Sequence, residues 1–229
     1  MKPNNPLYFE LIGENFNKFM SNYDVKQRSI LIFNKLLPKD TLNKNAAVLE
    51  IGCGTGKISE HLVKITTDLT VNDISDKLCN KLTDRLNVKT LLGSCLNLPA
   101  ADNTFDLIVS SECVEHTPSP YKAFLEMKRI LKPGGRIIIT TPNMLWFPVL
   151  LMSRLFKIRK FEGTENWTWI TKTKKWLKKE GFTEIYFSGC HLFPWQLPFA
   201  KKILPCFDKL SNFLYPIMIN YGFSAKKGH

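Results

Sequence analysis

Val48-Leu49-Glu50-Ile51-Gly52-Cys53-Gly54-Thr55-Gly56-Lys57 reads as a buried β-strand that runs into a glycine turn and then into a helix. A second strand, Leu69-Thr70-Val71-Asn72-Asp73, ends in an acid 17 residues beyond Gly56. Doubly wound folds hold an adenosine by such a pair. Glycines let the backbone come close to the ligand, and the acid accepts hydrogen bonds from ribose hydroxyls.

The dinucleotide pattern G-x-G-x-x-G, counted from Gly52, requires a glycine at position 57, where this chain has Lys57. The spacing is instead Gly52, Gly54, Gly56, with Glu50 at the strand end. Four more stretches follow: Val71-Asn72-Asp73-Ile74-Ser75, Leu92-Gly93-Ser94-Cys95-Leu96-Asn97-Leu98-Pro99, Asn103-Thr104-Phe105-Asp106-Leu107-Ile108-Val109-Ser110-Ser111, and Leu131-Lys132-Pro133-Gly134-Gly135-Arg136. On these residues, in this order and from about Val48 to Asn143, the chain resembles the class I S-adenosylmethionine-dependent methyltransferases.

The resemblance implies a cofactor site of Glu50, Gly52, Cys53, Gly54, Gly56, Asp73, Ile74, Ser94, Cys95, Ser110 and Ser111. In that family the glycine loop wraps the methionine half of the cofactor. The acid matching Glu50 reaches its amino group, and the N–H groups of the following helix face its carboxylate. Ser94 stands where the family has an acid; a serine hydroxyl still accepts a hydrogen bond from the adenine amino group.

The pattern of elements agrees with that fold. Strands are expected at 48–51, 69–73, 88–92, 105–110 and 136–141, and helices near 56–65, 75–85 and 120–131. Alternating β and α implies a Rossmann-like, doubly wound α/β sheet of seven strands, mostly parallel, with right-handed crossovers. Beyond Asn143, a helix over 172–180 is expected, capped by Thr171 and stopped by Gly181. A strand follows from Thr183 to Ser188, and a last, antiparallel strand from Ile219 to Lys226. Residues 1–12 read as poorly ordered and 13–37 as helical, with Pro38 to Asn45 as a loop. The whole chain reads as one methyltransferase domain. Residues 1–45 form an N-terminal cap, and 144–165 and 190–216 are insertions that form a substrate cover.

Composition narrows the class. The 229 residues are 44% hydrophobic, enough for a full core. No N-terminal segment reads as a signal peptide, and no apolar run approaches the length of a spanning helix. The six cysteines show no C-x-x-C pair and no metal spacing, so no metal is expected, and the chain reads as intracellular and reduced. Cys53, Cys95 and Cys113 read as small hydrophobes. The net charge of +12 is uneven. Residues 1–150 carry 18 Lys/Arg against 15 Asp/Glu, whereas residues 151–229 carry 14 against 5 and 16 of the 27 aromatics.

Ligands of open parallel sheets bind beyond the carboxyl ends of the strands. That places Glu112–Pro118 and Pro142–Phe147 toward the transferable methyl group. Methyl transfer from a sulfonium draws its driving force from the cofactor, so positioning outranks any single side chain and no triad is expected. His116 is the candidate base, because imidazole titrates near neutrality. Glu112 is a second candidate, as base or as substrate-orienting carboxylate. Tyr23 and His191 are candidates for lining the pocket; His61 reads as structural or solvated.

Strand four does not end in an Asn/Asp-Pro-Pro-Tyr/Phe signature, and Pro205-Cys206 is the single Pro-Cys dipeptide. Nucleobase methylation is thereby disfavoured. Two acceptor classes remain beside a small soluble molecule. The apolar stretches 144–152 and 192–218, with Trp146, Phe147, Phe193, Trp195, Phe199, Phe207, Phe213 and Tyr215, suit a quinone, lipid or lipid-linked glycan, probed at an anionic inner membrane face by Lys201, Lys202 and Lys209. The same basic, aromatic surface also suits RNA. O-methylation of the lipid-like acceptor is the expected chemistry.

Overall fold

In the computed structural model, residues 21–38, 43–155 and 165–228 are described. The expected disorder of 1–12 and the first turns of the 13–37 helix lie outside them.

Helix α1 (Asn22–Ile30) passes into a π-helical turn, Leu31–Leu36. Then follow β1 (Ala47–Ile51), α2 (Ser59–Leu62), β2 (Asp68–Asp73), α3 (Asp76–Leu86), β3 (Lys89–Leu92), β4 (Phe105–Ser111), α4 (Pro120–Ile130) and β5 (Leu131–Pro142). After them come α5 (Phe147–Leu155), α6 (Ile170–Lys179), β6 (Phe182–Cys190), α7 (Ala200–Lys209), α8 (Ser211–Leu214) and β7 (Asn220–Lys227). The seven strands lie in the order β3-β2-β1-β4-β5-β7-β6. Strands β1 to β5 are mutually parallel, and β7 runs antiparallel between β5 and β6. The expected doubly wound seven-stranded sheet with an antiparallel last strand is therefore the fold.

Side chains of a strand alternate between faces, so a central strand with helices on both sides is apolar throughout. In β5, Ile137 and Ile139 enter one core with Phe124 and Met127 of α4, Leu177 of α6, and Tyr221 and Phe223 of β7. Ile138 points the other way, into a core with Leu31, Ile32, Leu62 and Leu82. All three isoleucines are fully buried. The π-helical turn belongs to this second layer: Leu37 N donates to Ile32 O at 2.8 Å, five residues back. A side chain on Gly222 of β7 would collide with Leu36 Cδ1 at 2.6 Å, so the glycine admits that turn against the sheet.

Some local expectations need correction. The first crossover helix covers only Ser59–Leu62 instead of 56–65, with turns before it. Helix α6 starts at Ile170, with Trp169 as its N-cap and no side-chain cap, so Thr171 lies inside the helix. The reason is packing: Ile170 is buried, and the Thr168 hydroxyl is already shared with Tyr221 Oη. Gly181 does end the helix, at φ 75°. Strand β5 begins five residues earlier than expected, because Leu131 pairs with Phe105.

Candidate active site

The glycine turn is held from below by β2. Gly52 N and Cys53 N both donate to Asn72 O at 2.9 Å, and Gly56 N closes the turn onto Cys53 O at 2.8 Å. Asp73 is fixed in the same place. Its Oδ2 accepts from Gly54 N at 3.0 Å, and its Oδ1 accepts from Ser75 N at 3.1 Å. The acid and the loop are thus one hydrogen-bonded unit. Burial raises the Asp73 carboxyl above its ordinary value, and the backbone N–H groups of Ser75, Gly54 and Ile74 pull it back.

Two glycines of the turn are needed for different reasons. A Cβ on Gly52 would lie 2.4 Å from Cys113 Sγ, so that glycine admits the chain leaving β4. A Cβ on Gly54, at φ 49°, would meet nothing within 4 Å. The backbone is therefore bare and open at Gly54, beside the Asp73 carboxylate, and this cradle fits an adenosyl ligand.

Glu50 lies beneath the turn, 3% exposed, and accepts from the Ser59 hydroxyl. Burial pushes its pKa up to about 8. A positively charged ligand amino group is the counterion such a carboxyl lacks. Helix α2 is a single turn of four residues that starts at Ser59, with no side-chain cap. Ser94 is exposed and accepts from Leu96 N at 3.3 Å, which shapes the turn after β3. Cys95 is buried beside the apolar core. Ser110 is fully buried with Oγ unpartnered among the described residues, and Ser111 Oγ bonds Thr140 Oγ1 at 3.1 Å.

The methyl-facing candidates divide. His116 closes a 3-10 turn, Val114–His116, with its N–H on Cys113 O at 3.0 Å. Glu112 sits at the carboxyl end of β4 with φ 51°, and its Oε2 accepts from Asn220 Nδ2 at 2.7 Å. Burial, then the Glu115 charge, push the Glu112 pKa to about 8, while Arg28 acts the other way. Glu115 is also raised to about 8, chiefly by burial. His61 is exposed, its ring tilted against Phe33 at 5.0 Å, in a hollow lined by α1 and Lys57.

His191 is completely buried, with Nε2 3.0 Å from Asp24 Oδ1 and its backbone N donating to Asp208 Oδ1 at 3.0 Å. Asp24 also accepts from Arg28 at 2.7 Å. Tyr23 has its ring 5.7 Å from that of His191, and its hydroxyl is buried without a partner among the described residues. Sequence reading left out Asp24, Arg28 and Asn220. Their signal is weak, because each meets its partner only through the tertiary fold.

The suggested substrate cover is more aliphatic than its aromatics suggested. Phe199 and Phe213 are exposed, at 53% and 82%, whereas Trp146, Phe147, Phe193, Trp195, Phe207 and Tyr215 are half-buried. Leu145, Val149, Leu151, Met152 and Leu155 supply the exposed face of 145–155. Trp146 Nε1 donates to Ile217 O at 2.9 Å, which joins this face to the Phe213–Ile217 segment. No helix among the described residues is long and apolar enough to cross a membrane. Among the described residues, no group of His, Cys, Asp and Glu gathers that could hold a metal ion.

Residues 49–139 match the family described as methyltransferase domain. Beyond that stretch, the fold of the chain is shared with S-adenosylmethionine-dependent methyltransferases of known structure. It is 28% identical over 149 residues to demethylmenaquinone methyltransferase of Staphylococcus aureus, covering 62% of this chain and 61% of that one. The chain thus spans about three fifths of the length of the curated relatives it matches. Among solved structures, an S-adenosylmethionine-dependent methyltransferase of Thermotoga maritima superposes with a TM-score of 0.65 at 18% identity, over 96% of this chain and 99% of that one. Phosphoethanolamine N-methyltransferase 2 of Haemonchus contortus, in complex with S-adenosyl-L-methionine, gives 0.62 at 17% identity, over 88% and 52%.

Proposed function

We propose that this chain transfers a methyl group from S-adenosylmethionine to a small, lipid-like acceptor of the quinone, lipid or lipid-linked glycan type, at oxygen, while resting on an anionic membrane surface. The cofactor supplies an activated methyl on sulfur. The protein's residues then bind, align and exclude water. Gly54 and Asp73 hold the adenosyl part, and Glu50 lies where an amino group needs a counterion.

The observation that carries the acceptor class is the exposed apolar rim. Leu145, Val149, Leu151, Met152 and Leu155 join Phe199, Ile203, Leu210, Phe213 and Ile217 on segments linked by the Trp146–Ile217 bond. Large apolar side chains exposed together on linked segments mark a partner, a membrane or a greasy ligand. Lys201, Lys202 and Lys209 are exposed on the same α7 segment. A basic, apolar helix face suits the headgroup region of an anionic bilayer. The name of the Staphylococcus relative, with a demethylmenaquinone in it, supports a quinone-type acceptor. The cytoplasmic face of the membrane is the location this reading implies, with residues 1–45 acting as an N-terminal cap and 144–165 and 190–216 as the substrate cover.

Flotation with vesicles of phosphatidylglycerol and phosphatidylcholine tests the membrane part. Wild-type protein should float at low salt, and the pair Leu155→Asp, Phe213→Asp should stay at the bottom with its S-adenosylhomocysteine affinity intact. Absence of flotation at low salt would move the acceptor to the soluble class. A steep salt dependence of RNA filter binding, without flotation, would favour the nucleic-acid alternative.

A further inference from the structure

Strand β7 reverses direction relative to β5, so its first residue, Asn220, lies opposite Pro142 at the carboxyl end of the parallel strands. There it meets Glu112, which leaves β4 with its N–H on Thr140 O at 3.0 Å. Asn220 Nδ2 donates to Glu112 Oε2 at 2.7 Å. The remaining oxygens of the pair, Glu112 Oε1 and Asn220 Oδ1, are shut off from solvent with no partner within hydrogen-bond distance among the described residues, although the Thr140 hydroxyl near Glu112 lowers its carboxyl pKa. The Ser110 hydroxyl, two residues upstream on β4, is in the same condition.

Three unsatisfied buried oxygens so close in the fold are expensive, at about 1–3 kcal/mol each, and native structures keep few of them. Glu112 also holds a left-handed backbone (φ 51°) that a non-glycine residue adopts at a cost. Both penalties fall at the end of β4 and β5, where the fold presents its acceptor. Asn220 is 5% exposed, so surface solvent does not explain its free oxygen.

The surrounding charge selects the partner. Glu115 and Asp24 act on Glu112 as like charges, and Arg28 is the cation that opposes them. Arg28 is itself paired with Asp24 at 2.7 Å and has Nε buried without a partner among the described residues. Carboxyl groups thus outnumber the guanidinium, and Glu112, its pKa raised to about 8, leaves both free oxygens of the pair as hydrogen-bond acceptors once it ionises, which a bound ammonium favours. An anion would keep Glu112 protonated and leave Asn220 Oδ1 without a donor. A polar hydrogen is welcome at both oxygens.

We propose that Glu112 and Asn220 form the subsite that grips the head of the acceptor, taking a hydroxyl, phenol or ammonium hydrogen and rejecting carboxylates and phosphates. This rests on the methyltransferase reading, since the subsite is useful only beside a bound methyl donor.

Four matched probes test it by calorimetry on the full chain saturated with S-adenosylhomocysteine: 4-hexylphenol, 4-hexylbenzylamine, 4-hexylanisole and 4-hexylbenzoate. They share an apolar tail and differ at the head. The phenol, the amine or both should bind at least about tenfold more tightly than the anisole, with the benzoate weakest, because sites built to hydrogen-bond a donor discriminate strongly against analogues that lack it. Glu112→Gln and, separately, Asn220→Ser should flatten that order while leaving S-adenosylhomocysteine affinity within about twofold. A flat order in the wild type, or an order untouched in both variants, overturns the subsite. If the wild type does not bind S-adenosylhomocysteine at all, the methyltransferase reading falls instead.

Discussion

Gly54 N donates to Asp73 Oδ2 at 3.0 Å, so the most open point of the glycine turn is pinned by the acid that ends the neighbouring strand. Loop and carboxylate do not move independently. A ligand that touches one is placed with respect to the other, which is the preorganisation that positioning catalysis requires.

Removing that pin should damage ligand binding more than folding. Asp73→Ala leaves Gly54 N and Ser75 N without their acceptor and deletes the carboxylate at the end of β2. We expect S-adenosylhomocysteine affinity to drop at least tenfold, about 1.4 kcal/mol, by calorimetry. Unchanged affinity would mean that the cradle lies elsewhere.

The two glycines should separate stability from binding. Gly52→Ala drives a methyl against Cys113 Sγ, and it should cost about 1–3 kcal/mol in urea unfolding. Gly54→Ala meets no protein atom and should cost only about 1 kcal/mol of backbone strain, while it fills the cradle and weakens S-adenosylhomocysteine. The reverse ranking in unfolding would contradict the packing described.

Glu50 makes stability depend on pH. Its folded pKa, about 8, stands above the ordinary value of 4.5. The folded state therefore holds the proton longer than the unfolded chain. The associated stability is full below about pH 4.5 and is lost as pH rises toward 8. Glu112 and Glu115 act in the same sense. Chemical denaturation of the ligand-free protein should show stability falling across this window, with a shallower fall in Glu50→Gln. Binding of S-adenosylhomocysteine near pH 7, with its cationic amino group, should release protons in wild type and fewer in that variant, read from buffers of different ionisation enthalpy.

Asp24 anchors α1 to the end of β6. It bonds both Arg28 and the fully buried His191. Arg28 and His191 hold the Asp24 carboxyl below its usual value despite its burial. Asp24→Ala strands a buried guanidinium and should cost about 3–5 kcal/mol of unfolding free energy. A loss under 1 kcal/mol would show that α1 is held by its apolar contacts alone.

Much of this was legible in the sequence because the chemistry there is local. The run Ile137-Ile138-Ile139 needs two covered faces, and a glycine turn between Glu50 and Lys57 needs a strand before it. Asp73 was visible by its spacing. What escaped is what the fold brings together from afar. Asn220 and Glu112 are 108 residues apart, and His191 and Asp24 are 167 apart, so no periodicity signals either pair. Thr171 misled because it is a good capping type, while the cap position went to Trp169 so that Ile170 could enter the core. The π-helical turn at Leu31–Leu36 was likewise set by the fit against Gly222, which the helical pattern does not encode.

The insertion of β7 between β5 and β6 also constrains biosynthesis. While a nascent chain is still waiting on the ribosome for residues 220–227, β6 has no strand to pair with and one side of β5 stands bare. Two unprotected edges at that stage invite association with other chains. The same late strand delivers Asn220, so sheet closure and completion of the acceptor head-group contact happen in a single event.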